Sequence, residues 1–323
     1  MKRALFVGLT KYPGGNELNW CDNDAIAIST LIERNGDGSK NFDSVRILDE
    51  CDKAKLSAAI KKLFSGQADV ALLYFSGHGA DADGGYLVTT DFDASCYGVR
   101  MNDVMNWANE SKCRNKVIIL DCCFSGSMGE SLLVNNKSIL GDGVTVIAAS
   151  QPDETSVERN DIQHGLFTDL LLQGLSGGAA DINGRITPAG LYSYVDQALG
   201  AWEQRPVFKS NISEFLPIRT IQAKVPREKL QDLPKLFESA TDEFPLDPSY
   251  EFTNDPKIEH ETCEPYADED HVKIFKELQL FESVGLIEPV GEEHMYFAAM
   301  HNKSCRLTAL GTRYWKLAKD DRF

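Results

Sequence analysis

Nothing in this 323-residue chain runs apolar for the roughly 18 residues a membrane-spanning helix needs; its apolar stretches are only strand-length. The start, Met1-Lys2-Arg3, leads straight into such a stretch without a secretory pattern, which predicts a cytoplasmic protein with no membrane partner. Basic residues are in deficit, 33 Lys and Arg against 49 Asp and Glu for a net charge of −16. That balance excludes the basic stripe that nucleic-acid binding requires. It leaves either a cationic ligand or an acidic surface that serves only solubility. Cys-x-x-Cys spacing is absent as well. The eight cysteines are one adjacent pair and scattered singles, which argues for reduced thiols and against a disulfide framework or a structural zinc site. Long-period repeats and low-complexity tracts are also lacking.

What is present is a regular alternation over the first two hundred or so residues. Ala4 to Leu9 reads as a strand, Asp22 to Arg34 as an amphipathic helix, Val45 to Leu48 as a strand and Ala54 to Phe64 as a helix. Val70 to Phe75, Lys116 to Leu120 and Val144 to Ala148 are further core strands, with Tyr86 to Thr89 in an accessory hairpin. Met101 to Glu110, Phe167 to Leu175 and Pro188 to Leu199 complete the helices. Strands alternating with helices predict an α/β fold with a mostly parallel central sheet.

Two of these strands end in reactive groups. Asp69-Val-Ala-Leu-Leu-Tyr-Phe-Ser-Gly-His78-Gly79 closes on a histidine between glycines, and Lys116-Val-Ile-Ile-Leu-Asp121-Cys122-Cys123-Phe-Ser-Gly on an acid, two thiols and a small turn. Groups just past the carboxyl ends of neighbouring parallel strands converge on one sheet edge. Cys123 or Cys122 therefore meets His78 there, the layout of a thiol nucleophile with its base. The backbone N–H groups of Gly79 and Cys123 are the natural oxyanion donors.

Three segments together resemble the caspase-like cysteine peptidases (family C14-like), specifically the metacaspase and bacterial orthocaspase branch. Ala4 to Gly8 with Leu18-Asn-Trp-Cys21-Asp-Asn-Asp24-Ala25 resembles that family's opening strand and Gly-Cys-x-Asn-Asp-Ala helix start. Tyr74-Phe-Ser76-Gly-His78-Gly79 resembles its Tyr-Ser-Gly-His-Gly motif, and Asp121-Cys122-Cys123-Phe124-Ser-Gly its Asp-x-Cys-His-Ser-Gly motif. Ala149-Ser150, Glu154 and His164-Gly-Leu-Phe-Thr168 resemble the closing strand and helix. Phe124 and Trp20 depart from the family pattern, and Phe75 is an extra residue.

The resemblance implies a three-layer caspase-like sandwich over residues 1 to 220, Cys123 as nucleophile with Cys122 in the variable position, and His78 as base. It implies a primary pocket lined by Asp24 and Asp121, with Cys21 and Ser76 beside them, and cleavage of protein substrates after Arg or Lys. For Asp24 the other reading is a helix N-terminal acid favoured by the dipole. No cofactor is required for the chemistry. Calcium is implied as an activator held by Asp81, Asp83, Asp91, Asp93 and Glu130, against the plainer reading of a solvated acidic loop. Lys137 and Arg159 are candidate self-processing sites. Stress, cell-death or defence signalling is the implied context, and a catalytically silent caspase-like adaptor is the alternative.

Beyond Thr220 the composition changes. Residues 221–268, rich in proline and acids, read as an acidic connector. Residues 269–323 read as a winged-helix-like α+β module that binds a protein partner or regulates. In it a helix carries Phe275, Leu278, Phe281 and Leu286, Met295 to Met300 pairs as a strand with Cys305 to Leu307, and a last helix starts at Leu310.

Overall fold

The structure, a computed structural model, describes residues 1–80, 84–93, 96–122, 124–125 (backbone), 140–149, 163–199, 206–212, 214–259 and 261–322. It comprises two compact units, Met1–Gln222 and Ala223–Phe323.

In the first unit the elements run β1 (Lys2–Leu9), α1 (Cys21–Ile32), β2 (Phe42–Asp49), α2 (Lys53–Phe64), β3 (Val70–Ser76), β4 (Gly79–Ala80), β5 (Tyr86–Asp93), β6 (Cys96–Arg100) and α3 (Met101–Glu110). They continue as β7 (Asn115–Asp121), β8 (Phe124–Ser125), β9 (Val144–Ala148), α4 (Leu166–Gln173), β10 (Arg185–Ile186), α5 (Pro188–Ala198), β11 (Val207–Asn211) and β12 (Arg219–Thr220). Among the described residues six strands form the central sheet, in the order β11-β9-β7-β3-β1-β2. All neighbours pair parallel except β11, which closes the β9 edge antiparallel.

The inner strands β1, β3, β7 and β9 are largely apolar because both of their faces are covered. Alternate residues feed two separate cores. Leu5, Val7, Leu73, Phe75, Ile118, Leu120 and Val146 pack with Leu56 and Ile60 of α2 and Val104 of α3. Phe6, Leu72, Tyr74, Val117, Ile119 and Ile147 pack with Ile28 of α1, Leu171 of α4 and Leu191 of α5. This is the expected three-layer arrangement. Strands β4, β6, β8, β10, β11 and β12 fall outside the expected elements. They are short or lack a period long enough to read. The accessory strand β5 sits in a small sheet, β6-β5-β4-β8, attached beyond the end of β3.

Gly8 shows how tightly the site edge is built. A Cβ at Gly8 would lie 2.1 Å from the Cys21 carbonyl oxygen and 2.8 Å from Asp22 Cα, so only glycine lets α1 start directly against β1.

The second unit contains α6 (Arg227–Leu230), α7 (Leu233–Leu236), β13 (Glu243–Pro245), α8 (Glu269–Ser283), β14 (Ile287–Val290), α9 (Met295–Met300), β15 (Ser304–Leu307) and α10 (Ala309–Lys319). Two expectations are corrected here. Met295–Met300 is a helix, with Met295, Ala298 and Ala299 buried at helical spacing. The partners of β15 are β13 and β14, both antiparallel, so the hairpin expected within 295–307 is absent. The stretch read as a connector also belongs to this compact unit. Its order is polar in origin, which hydrophobic periodicity does not register. Asn254, fully buried, donates through Nδ2 to the carbonyls of Pro248, Cys263 and Pro265 at 2.8–3.0 Å and accepts from the Cys263 N–H. Phe237 and Trp315 close the apolar core, with the indole N–H donating to the Phe237 carbonyl at 2.7 Å. Among the described residues no helix is long and apolar enough to cross a membrane.

Gly8→Ala is expected to destabilise the first unit by about 2 kcal/mol or more, the cost of forcing atoms into a filled space. Ile26→Ala, on the exposed side of α1, should change stability by under about 0.5 kcal/mol. Urea titrations of both variants measure the difference.

Candidate active site

The geometry of the site begins with strand register. β3 and β7 lie side by side, with Ser76 opposite Asp121. The Gly77 N–H donates to the Asp121 carbonyl at 3.3 Å, extending the ladder one residue past β3. His78 and Cys123 each stand two positions after this last matched pair in the sequence. β4 then pairs in parallel with β8, Gly79 opposite Phe124, so the chain immediately after position 123 runs beside the chain immediately after His78.

His78 is half-buried and fixed from two sides. Its Nε2 lies 2.8 Å from the Asn16 carbonyl oxygen. A carbonyl only accepts, so Nε2 carries the ring proton and Nδ1 is the basic nitrogen of the neutral imidazole. Its backbone N–H donates to the Tyr12 hydroxyl at 3.0 Å, while that hydroxyl donates to the Val88 carbonyl at 3.2 Å. The Tyr12 ring packs against the imidazole, centroids 4.5 Å apart. Gly77 is what permits this, since a Cβ there would stand 2.6 Å from the Tyr12 hydroxyl. Gly79 faces Leu87 across β4 and β5. The Val88 N–H bonds the His78 carbonyl, so Gly79 and Leu87 form a non-hydrogen-bonded pair. The Gly79 N–H is thus turned away from β5, toward the β8 side.

Asp24 and Asp121 converge on the N-terminus of α4. Asp24, 3% exposed, accepts the Ser76 hydroxyl at 3.2 Å on Oδ2 and pairs with His164 Nδ1 at 2.8 Å on Oδ1. Asp121 Oδ2 accepts the Thr168 hydroxyl at 2.5 Å, and Thr168 in turn accepts the Tyr74 hydroxyl at 2.5 Å. Backbone N–H groups of Gly165 and Thr168 also serve Asp24 and Asp121 respectively. Gly165 caps α4 without a side chain of its own. The two acids therefore satisfy donors that the helix leaves open in its first turn. Asp24 does not serve its own helix; its carboxylate reaches across to α4. Gly165 overlies the pair, because a Cβ there would fall 3.2 Å from Asp121 Oδ2 and 3.7 Å from Asp24 Oδ2. Burial raises both carboxyls above the ordinary aspartate range. Asp24 is raised further by the charge of Asp121, while the bond from Ser76 partly offsets the shift.

Of the other expected residues, Cys21 opens α1, half-buried, with its carbonyl against Gly8, and Ser76 is 2% exposed beside Asp24. Cys122 is 3% exposed and belongs to the apolar core, consistent with its reading as a small hydrophobe. Cys123 lies outside the described residues, as do Asp81, Asp83, Glu130, Lys137 and Arg159. Asp91 accepts the Lys53 N–H at 3.1 Å and the Thr89 hydroxyl at 2.6 Å, and Asp93 accepts the Cys96 N–H at 2.9 Å. Both carboxylates serve protein donors. Among the described residues no group of three or more potential ligands is placed to hold a metal ion. Sequence reasoning gave no role to Tyr12, Asn16, Tyr74, His164 or Thr168. The last two stand in a quoted motif, His164-Gly-Leu-Phe-Thr168. Asn16 acts through its main chain, which no side-chain pattern marks.

In the folded chain the raised carboxyls keep protons that an unfolded aspartate, at about 3.9, has released. Stability from Asp24 therefore falls as the pH rises from about 4 toward neutrality. Asp24→Asn removes this term, so its melting temperature relative to the unmodified protein should climb between pH 5 and pH 8. Thermal melts of both proteins across that range measure it.

No curated protein matches the chain. Residues 1–216 match the caspase domain of peptidase family C14. That span covers the whole central sheet, the histidine turn and the acid pair. By fold and by family, then, the chain belongs to the caspase-domain peptidases, cysteine-type hydrolases of the peptide bond.

Proposed function

We propose that the protein is an endopeptidase of the metacaspase or orthocaspase branch, cutting protein substrates after Arg or Lys with a Cys123–His78 dyad. The observation that carries this reading is the acid pair, Asp24 buried and Asp121 half-buried, beside the strand end that leads into His78. A desolvated pair of carboxyls favours a guanidinium or ammonium and rejects an acidic side chain. Their raised proton affinity fits the same role, since two like charges in one place want a cation between them.

In the proposed mechanism the Cys123 sulfur, its proton taken by His78 Nδ1, attacks the scissile carbonyl carbon. The N–H groups of Gly79 and Cys123 stabilise the oxyanion. His78 returns the proton to the leaving amine, and water then hydrolyses the acyl-enzyme with His78 as base. The Asn16 carbonyl supports this assignment of Nδ1 by holding Nε2. The second unit is a regulatory or partner-binding module in this reading, and the biological setting is regulated proteolysis in stress, cell death or defence.

Fluorogenic peptides ending in Arg, Lys or Asp, assayed with and without calcium, test the reading. Turnover is expected after Arg and Lys only, and Cys123→Ala should abolish it. Cleavage confined to Asp would refute the pocket assignment. A strict calcium requirement would support calcium as the activator, and its loss in Asp81→Asn, Asp83→Asn or Glu130→Gln would identify the acids that hold it. Asp24→Asn and Asp121→Asn should each lower kcat/KM for the Arg peptide by roughly 10- to 100-fold, the scale of losing one charge-assisted hydrogen bond. Steady-state kinetics on the purified variants give that ratio.

A further inference from the structure

Asp24 has a partner that the proposed pocket does not by itself require. His164 Nδ1 lies 2.8 Å from Asp24 Oδ1, with the imidazole side chain 22% exposed and the carboxylate 4%. The Ser76 hydroxyl takes the other oxygen, Oδ2. With the Gly165 N–H also donating to Asp24, three of the four acceptor positions of the carboxylate are taken and one remains for a ligand. The backbone is bent to deliver this contact. Gln163, just before His164, has φ 54°, the left-handed region that a glutamine seldom adopts. Gly165, just after it, lies against both acids.

Burial and the charges of Asp121 and Asp22 make the Asp24 anion harder to keep. Of the titratable groups around Asp24 and His164, Asp22 and Cys21 stand on α1, Asp121 on β7, Tyr74 on β3 and Asp169 on α4. Among the groups around Asp24, Ser76, the Gly165 N–H and His164 donate to it. His164 is held below its ordinary proton affinity by burial. A neutral imidazole facing a carboxylate carries its proton on the facing nitrogen, so Nδ1–H donates and the ring brings no competing charge.

We propose that His164 is a specificity-determining residue: its Nδ1–H, donated to Asp24, fixes that carboxyl in one orientation and favours its anion, the form that receives a basic side chain. The proposal rests on the reading of Asp24 and Asp121 as the recognition acids. His164 has no part in the proposed chemical steps and acts through Asp24, so it is a positioning residue. Without the Nδ1–H donor, the buried carboxyl beside Asp121 holds its proton to a still higher pH and offers a guanidinium less opposite charge.

The test is hydrolysis of a fluorogenic peptide ending in Arg, with KM and kcat measured separately from pH 5.5 to 8.5. The proteins are the unmodified chain, His164→Ala, His164→Asn and Asp24→Asn. His164→Ala should raise KM about tenfold at pH 7, the scale of one hydrogen bond to a charged acceptor, with kcat within about twofold. The pH at which KM falls should move upward by about one unit, because only a higher pH then ionises Asp24. His164→Asn, which restores an N–H donor that does not titrate, should return KM to within about threefold. A His164→Ala profile that superposes on the unmodified one overturns the proposal. So does a loss confined to kcat, or a His164→Asn protein no better than His164→Ala. If the unmodified protein fails to cleave after Arg, or Asp24→Asn cleaves as well as it does, the acid-pocket reading itself falls and the proposal with it. The Asp24→Asn arm separates that outcome from a failure of His164 alone.

Discussion

The site depends on one alignment, the parallel register that sets Ser76 of β3 opposite Asp121 of β7. Parallel pairing points both strands to the same sheet edge, and a one-residue slip would send every side chain of one strand to the wrong core. Leu73 and Phe75 on one face, Leu72 and Tyr74 on the other, make such a slip costly, because both faces are filled. The register is thus specified by packing well below the site. It brings the histidine turn and the cysteine turn to the same level, and the short β4–β8 pairing keeps them together beyond the sheet. Gly8 and Gly77 belong to the same constraint. Each is glycine because another element presses where a side chain would stand.

Electrostatics at this edge run against the usual preference for separating like charges. Two carboxyls are buried together, and the fold compensates with oriented dipoles in place of a cation. The first turn of α4, the Ser76 hydroxyl and the Tyr74–Thr168 relay all aim donors at the pair. Such preorganised donors lower the cost of an anion while leaving lone pairs open. The histidine turn follows the opposite logic. His78 is held through main-chain atoms, by a carbonyl on its ring and by Tyr12 at its N–H, so its orientation is insulated from the acids.

The second unit shows what kind of order escapes pattern recognition. Its proline- and acid-rich opening has little periodicity, yet Asn254 knits four main-chain groups into a fixed loop while Phe237 joins the core. Buried amide networks organise backbone as firmly as an apolar stripe does, but their partners are main-chain atoms that any residue supplies. The helix α9 misleads for another reason. Six residues, Met295–Met300, are too few for a period to separate a strand from a helix turn, and the packing of Met295, Ala298 and Ala299 decides it.

The candidacy of Asp24 and Asp121 came from the resemblance to the caspase-like peptidases; the sequence by itself determined the alternation of strands and helices, the α/β class, and the strand ends that carry His78 and Cys123. These are local: strand-length apolar runs, helical spacing, and chemistry placed where a strand stops. Only the tertiary structure decided which groups hold them. Asn16 lies 62 residues from His78 and acts through a carbonyl, and His164 lies 140 residues from Asp24. Tyr74 and Thr168 read as core and helix residues until β3 and α4 meet. Side-chain chemistry can be read in one dimension. Which donor finishes near which acceptor is set by register and packing, and those exist only once the sheet is assembled.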